Sequence, residues 1–343
     1  MELRKVQLVG RASFSVTLPP DWIKENKIKA SDQVTITREE DGSLRLTPGI
    51  IRSEEKEVKI TIDADLCKDL GLLRELIVGG YIKGCDSIEI VSEHTISENH
   101  RREINDATNC LIGMGIVEST SNRVMLQSMV DASKFPVGPL LKRLYNLVSS
   151  MQEDTMKALK GKDPSLAANI IQRENEVNRI YSLTRRQLVA ASIDKNVLKK
   201  IGLKDSLNLT YHIVALPRIK FLADYAVDIA KNQLAFGENV VNDFDLQKMV
   251  RLGDTAYKMF SNACEAFFKG DVFLAIKSMK SIDNFEESKE ELRKKLVPHI
   301  IKDTKTRLRL SDIIRDLTGV ARYAMEIAQI TIANSVAEKS NLP

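Results

Sequence analysis

The chain has 343 residues, with 51 Lys and Arg against 47 Asp and Glu and a formal net charge of +4. That length exceeds what one hydrophobic core serves and implies two or three domains. The near balance of charge excludes a basic coat, so any nucleic-acid contact must sit in a local patch.

Residues 1–50 read as β. Val6–Val9 and Ser13–Leu18 are β-prone runs broken by Gly10-Arg11, and Pro19-Pro20 stops the second. Asp21 can cap a short helix over Trp22–Asn26. Gln33–Thr37 alternates with period two. Glu40-Asp41-Gly42-Ser43 is a hairpin turn, and Leu44–Pro48 is the returning strand. So small a piece buries too little alone, which makes dimerisation the expected source of its core. Residues 51–57 are polar and charged, as in a linker.

Residues 57–130 alternate. Glu57–Ile62 is a strand. Leu66–Tyr81 is a helix with Leu66, Leu70, Leu73 and Ile77 on one face. Ser87–Val91 is a strand, and Ser97 can cap a helix to about Ile112 with Ile104, Ala107 and Leu111 as its apolar face. Gly115–Thr120 and Arg123–Gln127 form a hairpin. The βαβαββ order suggests a small α/β or α+β domain. Gly79-Gly80 lies inside a helix rather than between a strand and a helix, so no dinucleotide loop is implied. The run Arg101-Arg102-Glu103 reads as a solvated, charged helix face.

From about 137 onward the pattern is helical, with breaks at Gly161–Pro164, Ser192–Asp194, Gly202, Gly237, Gly270-Asp271 and near Pro298. An internal repeat is visible. Leu222-Ala-Asp-Tyr-Ala-Val-Asp-Ile-Ala230 matches Val320-Ala-Arg-Tyr-Ala-Met-Glu-Ile-Ala328 at an offset of 98 residues, and Asp154-Thr155 and Leu166-Ala167 recur as Asp254-Thr255 and Leu274-Ala275. Matches in the same order suggest a duplicated three-helix unit. The domains expected are therefore 1–50, 57–130, 137–236 and 243–338.

Cys67, Cys85, Cys110 and Cys264 stand singly, with no CxxC and no zinc-finger spacing, and read as reduced thiols. The start Met-Glu-Leu-Arg-Lys-Val has no apolar leader, and no stretch reaches the roughly 18–20 apolar residues of a membrane span. A cytoplasmic chain without membrane insertion is expected.

Two segments bear on function. In residues 1–29, six basic residues (Arg4, Lys5, Arg11, Lys24, Lys27 and Lys29) outnumber three acidic ones. A two-fold dimer would double this patch and present it to DNA phosphates; the alternative is a solvated charged face. The pattern Arg4-Lys5-Val6, Gly10-Arg11, Val16-Thr17-Leu18-Pro19-x-x-Trp22-Ile23, Ile28–Asp32, then Asp41-Gly42-x-Leu44-x-Leu46-x-Pro48 resembles the AbrB/SpoVT/MazE swapped-hairpin domain. The resemblance implies two chains interlaced into one β-barrel, with DNA contact by Arg4, Lys5, Arg11 and Lys24. Lys27 is added as a candidate from the charge pattern. The segment from Arg11 to Pro19 is longer than in short bacterial members.

The repeated Leu222–Ala230 segment and Glu174-Asn-Glu-Val-Asn178-Arg resemble the third- and second-helix signatures of the PhoU family, here of the archaeal type. This resemblance spans roughly 137–335. It implies two three-helix bundles and a role in phosphate-uptake control through a phosphate transporter subunit, a sensor kinase or transcription. In that family carboxylates four apart on one helix face can hold iron or zinc. This chain departs from it: Lys220 stands where an acid is expected before Asp224, and Thr318 and Arg322 replace the second pair. Glu174 faces Asn178, while Asp224 with Asp228 and Asp283 with Glu287 are four apart. These carboxylates read either as a metal site or as ion-paired helix faces, and Lys220 beside Asp224 favours a salt bridge. No cofactor is required by any motif.

Catalytic motifs are absent. His212 and His299 lack the Glu-x-x-His spacing of a di-iron bundle, and no GxSxG, Walker loop or HExxH occurs. The sequence thus predicts a multi-domain α+β chain: an N-terminal swapped-hairpin barrel, a small α/β middle and an all-α half of two repeated bundles. Its expected role is a homodimeric, non-enzymatic, DNA-binding regulator of phosphate uptake. The rival is an adaptor of the PhoU type that binds no DNA and acts on a transporter or sensor kinase.

Overall fold

The computed structural model describes residues 2–38, 42–49, 57–235, 243–295 and 303–337. The chain divides into two compact units, Met1–Lys56 and Glu57–Pro343.

In the first unit, β1 (Gln7–Val9) and β2 (Ser13–Ser15) pair antiparallel. The turn between them begins at Gly10, whose φ of +70° is open to glycine and strained for other residues. Helix α1 (Pro20–Glu25) starts on a proline, whose missing N–H costs nothing in a first turn. β3 (Val34–Arg38) and β4 (Leu44–Pro48) form a second antiparallel pair. The tip of its turn and the linker stretch 51–56 lie outside the described residues. The barrel implied by the resemblance belongs to two interlaced chains, and one chain contains no closed sheet among its described residues. The two hairpins are separate two-stranded sheets, and without a ladder between them each keeps two open edges, so one chain closes no barrel.

The second unit opens with β5 (Lys59–Asp63), α2 (Leu72–Lys83), β6 (Ser87–Val91), α3 (Glu98–Asn109), β7 (Met114–Ser119) and β8 (Arg123–Ser128). The sheet order is β5-β6-β8-β7. β5 and β6 run parallel around α2, and the other pairs are antiparallel. Leu73, Ile77, Ile88, Ile90, Ala107 and Leu126 are fully buried between sheet and helices. Gly80 permits this approach: a Cβ there would lie 2.6 Å from Ile60 Cδ1.

The helix expected over Leu66–Tyr81 begins six residues later than the apolar spacing suggests. Leu66 and Leu70 are 73% and 87% exposed. The start is set by Glu103, whose buried carboxylate accepts the backbone N–H groups of Gly71 at 3.0 Å and Arg74 at 3.1 Å. An acid at a helix N-terminus satisfies orphan donors and favours the dipole. The Arg101–Glu103 run is corrected too. Glu103 is this cap, and Arg101 donates to the carbonyls of Thr120 and Ser121.

The helical part comprises α4 (Val137–Gly161), α5 (Pro164–Ile193), the short α6 (Lys195–Lys200), α7 (Ser206–Leu234), α8 (Asp243–Lys269), α9 (Val272–Lys295) and α10 (Thr304–Ala337). Asp163 caps α5 through the N–H groups of Ser165 and Leu166, and Asp271 takes the N–H of Leu274 in α9, so the two inter-helix loops end alike. The breaks read at Gly237 and Pro298 fall outside the described residues. α4, α5 and α7 pack together, as do α8, α9 and α10, and the two sets meet along α4–α8 and α7–α10. One core runs through both.

Arg186 of α5 joins this core to the α/β part. Its buried guanidinium donates to the carbonyls of Tyr81 at 2.6 Å and Cys85 at 2.9 Å and lies over the Tyr81 ring. The cation thus sits at and just past the C-terminus of α2, where it favours the helix dipole and shares the Tyr81 carbonyl with the Gly84 N–H. Gln187 beside it donates to Ala132 and Phe135, fixing the connection into α4. Arg186→Ala should lower the unfolding free energy by about 2–4 kcal/mol, because it removes a buried charge-assisted network. Urea denaturation followed by far-UV circular dichroism measures this.

Candidate nucleic-acid interface and helical faces

In the N-terminal unit no described residue is buried. Leu3, Val6, Leu8, Val9, Phe14, Val16, Ile36 and Leu44 are all more than half exposed. Of the basic candidates, Arg4 and Lys5 precede β1, Arg11 lies in the β1–β2 turn, Lys24 is on α1 and Lys27 follows it with a φ of +54°. The pairing of Gln7 with Ser15 and Val9 with Ser13 puts Arg4 and Lys5 at the end of the hairpin from which the chain leaves toward α1. Arg11 sits in the β1–β2 turn, so Arg4 and Lys5 stand at one end of the hairpin and Arg11 at the other. Arg4 is also held by Glu2 at 2.5 Å.

The acidic candidates of the helical half do not converge. Lys220 Nζ lies 2.6 and 2.7 Å from the two Asp224 oxygens, filling the carboxylate with an ammonium. Asp228 is exposed and 3.9 Å from Lys231. Asp283 and Glu287 are exposed on α9, and Glu174 is half-buried on α5. Among the described residues no three His, Cys, Asp or Glu side chains are placed to hold a metal ion together. His212 serves the core: its Nδ1 lies 2.8 Å from the Asn208 carbonyl, its ring packs on Phe267, and burial lowers its pKa.

The seam between α7 and α10 carries more. The two helices cross antiparallel, with Arg218 opposite Glu326 at 2.9 Å, Phe221 stacked on Tyr323 at 5.3 Å and Tyr225 against Gly319. A Cβ on Gly319 would fall 2.2 Å from the Tyr225 ring, so only glycine admits that ring. The repeat offset of 98 residues makes Asp316 the counterpart of Arg218, and Asp228 the counterpart of Glu326. On one side of the pseudo-two-fold an arginine meets a glutamate. On the other, two aspartates face each other.

Asp316 is 2% exposed, and its Oδ2 has no hydrogen-bond partner. Arg315 reaches its Oδ1 at 3.2 Å and also holds Asp312 at 2.8 Å. Burial pushes the Asp316 carboxyl up to about 6. Arg315 opposes the rise, and the Asp228 and Asp312 carboxylates add to it. The sequence reading passed over Asp316, yet the signal was present in the repeat, which puts an acid where its twin has Arg218.

Comparison with known proteins follows these features. The PhoU domain family matches residues 141–233 and 249–331, together just over half of the chain, and the chain belongs to that family. Residues 7–56 match the antidote-toxin recognition family MazE, a bacterial antitoxin domain, so the N-terminal unit is of the MazE/AbrB type. A phosphate-specific transport system accessory protein PhoU homologue of Borreliella burgdorferi is 29% identical over 133 residues, which are 37% of this chain and 58% of that protein. PhoU from Pseudomonas aeruginosa superposes with a TM-score of 0.52 at 17% identity over 59% of this chain and 96% of its own. The phosphate transport system regulatory protein PhoU from Streptococcus pneumoniae gives 0.50 at 19% identity over 60% and 98%. These structures share the helical fold. No described helix is long and apolar enough to cross a membrane.

The raised Asp316 pKa sets a pH dependence. A carboxyl with a folded pKa of about 6, against the ordinary aspartate value of 3.8, favours the fold fully when protonated, below about pH 4. That contribution is lost as pH rises through 6, a difference of about 2–3 kcal/mol. Asp316→Asn should flatten this loss and raise the melting temperature at pH 8 relative to the parent, while leaving pH 4 nearly unchanged. Melting curves across pH 4–8 check it.

Proposed function

We propose that the chain is a dimeric, DNA-binding regulator of phosphate uptake, cytoplasmic and non-catalytic, whose PhoU bundles sense a signal or bind a partner. The observation that carries the reading is the N-terminal unit without a core. A row of apolar residues left exposed on two open hairpins is what a fold completed by a second copy looks like before pairing. Interlaced hairpins of two chains would form one closed barrel and bury Leu8, Phe14, Ile36 and Leu44. Pairing would also bring together two sets of Arg4, Lys5, Arg11, Lys24 and Lys27. The MazE/AbrB likeness supports the same arrangement, and the PhoU membership supports phosphate as the regulated process. Bundles and DNA unit would be linked only if the signal favours one spacing of the two basic sets over another.

A second reading keeps the dimer and drops the DNA. Arg4 is tied to Glu2, and the chain as a whole is nearly neutral. Here the bundles act on a phosphate transporter subunit or a sensor kinase.

Fluorescence anisotropy with promoter fragments of the chain's own gene and of phosphate-transport genes separates the two. The regulator reading expects binding that weakens steeply with salt as phosphate counterions are released. The triple charge reversal of Arg4, Lys5 and Arg11 should abolish it, with the dimer intact by light scattering. A dimer that binds none of these fragments at low salt leaves the adaptor reading.

A further inference from the structure

We propose that the second repeat binds a phosphate-bearing anion in the cavity lined by Gly319 and Tyr225. The cavity has a volume of about 570 Å³ and is walled by α9, α10 and Tyr225 of α7. Its wall carries four cations. Lys289 and Arg293 lie one turn apart on α9, and Arg315 and Arg322 lie two turns apart on α10. The acids on the wall are Asp312 and Glu326, and both are engaged, by Arg315 at 2.8 Å and by Arg218 at 2.9 Å.

Two of the cations matter most. Lys289 is nine-tenths buried and pairs with the more exposed Glu286. Arg322 makes no ion pair among the described residues. Arg293 has only a loose contact, 3.7 Å, with Glu290. Guanidinium groups present paired N–H donors that match phosphate oxygens, and a partly buried ammonium strengthens the same field.

The internal duplication explains why this site exists once. In the first repeat the corresponding positions carry different groups. Phe221 stacks on Tyr323, and Lys220 is neutralised by Asp224. In the second repeat Gly319 replaces Phe221 and removes a ring. Thr318 replaces Lys220, and Arg322 replaces Asp224 and reverses the charge. The positive excess thus arises from departures between the two repeats. A cavity of this size exceeds an inorganic phosphate ion and falls in the range of small-molecule pockets, roughly 300–1,000 Å³. It takes a phosphorylated small molecule, with its phosphate at the α9 and α10 cations. The inference needs neither the N-terminal unit nor DNA, so it stands or falls apart from the reading above.

Titration calorimetry on the full chain near neutral pH tests it, with inorganic phosphate, pyrophosphate and ADP as probes and sulfate as the control anion. Saturable binding of at least one phosphate-bearing probe is expected, well above sulfate. Arg322→Asp, which restores the acid found in the first repeat on an exposed position, should weaken it about tenfold or more. Arg143→Asp should leave it unchanged, since Arg143 lines a separate cavity with Arg74 and Arg179. A preference for pyrophosphate or ADP over inorganic phosphate identifies the small-molecule source. No binding of any probe, equal affinity for sulfate, or unaltered binding by a folded Arg322→Asp protein overturns the proposal.

Discussion

The helical half depends on one close approach, that of the alanine-lined faces of α7 and α10. Ala223, Ala226, Ala230, Ala321, Ala324 and Ala328 are all fully buried. Such small side chains let helix axes come to about 8 Å, where ridges of one interlock with grooves of the other. At that distance register is decided by whatever large residues remain. Arg218 with Glu326 and Phe221 with Tyr323 lock one side, and Gly319 yields to Tyr225 on the other. The buried Asp316 and the open basic cavity lie along this line.

The two units obtain their stability differently. The second buries a continuous core through both bundles and anchors its α/β part by placing a charged side chain of one element at the frayed end of another. Arg186 does this at the C-terminus of α2, and Glu103 does it at the N-terminus. The first unit has strands, turns and a short helix, all locally consistent, but no interior. Hydrogen-bonded hairpins alone are marginal in water, so its structure and its partner are one question.

The legibility of these features in the sequence follows the range of the interactions behind them. Local signals survived. Ser97 caps α3, Asp163-Pro164 starts α5, Gly270-Asp271 divides α8 from α9, and the strands from Lys59 to Ser128 lie where alternation put them. The duplication was readable because Tyr-Ala and Ile-Ala recur with their spacing. What failed was set by distant residues. The helix after Leu66 starts late because Glu103, some thirty positions away, decides its first turn. Arg101–Glu103 read as solvent-facing because nothing local revealed their backbone partners. Leu66 and Leu70 keep the helical spacing yet stand in water. The barrel that the resemblance assigns to two interlaced chains leaves only two open hairpins in one chain. On α7, adjacent charges at Lys220 and Asp224 gave their ion pair away, whereas Asp316 became interesting only once the seam put Asp228 opposite it.

The pairing of Arg218 with Glu326 beside that of Asp228 with Asp316 also bears on why the bundles are fused. Two separate copies of a single bundle, meeting about a true dyad, must repeat every contact twice: an arginine facing a glutamate here obliges the same pair there. A tandem chain is free of that obligation. Each half can mutate alone, so one end of the shared interface can be spent on adhesion while the other is left charged, hollow and available for a task. Covalent linkage here supplies asymmetry, which no assembly of identical subunits with closed symmetry can reach by sequence change alone.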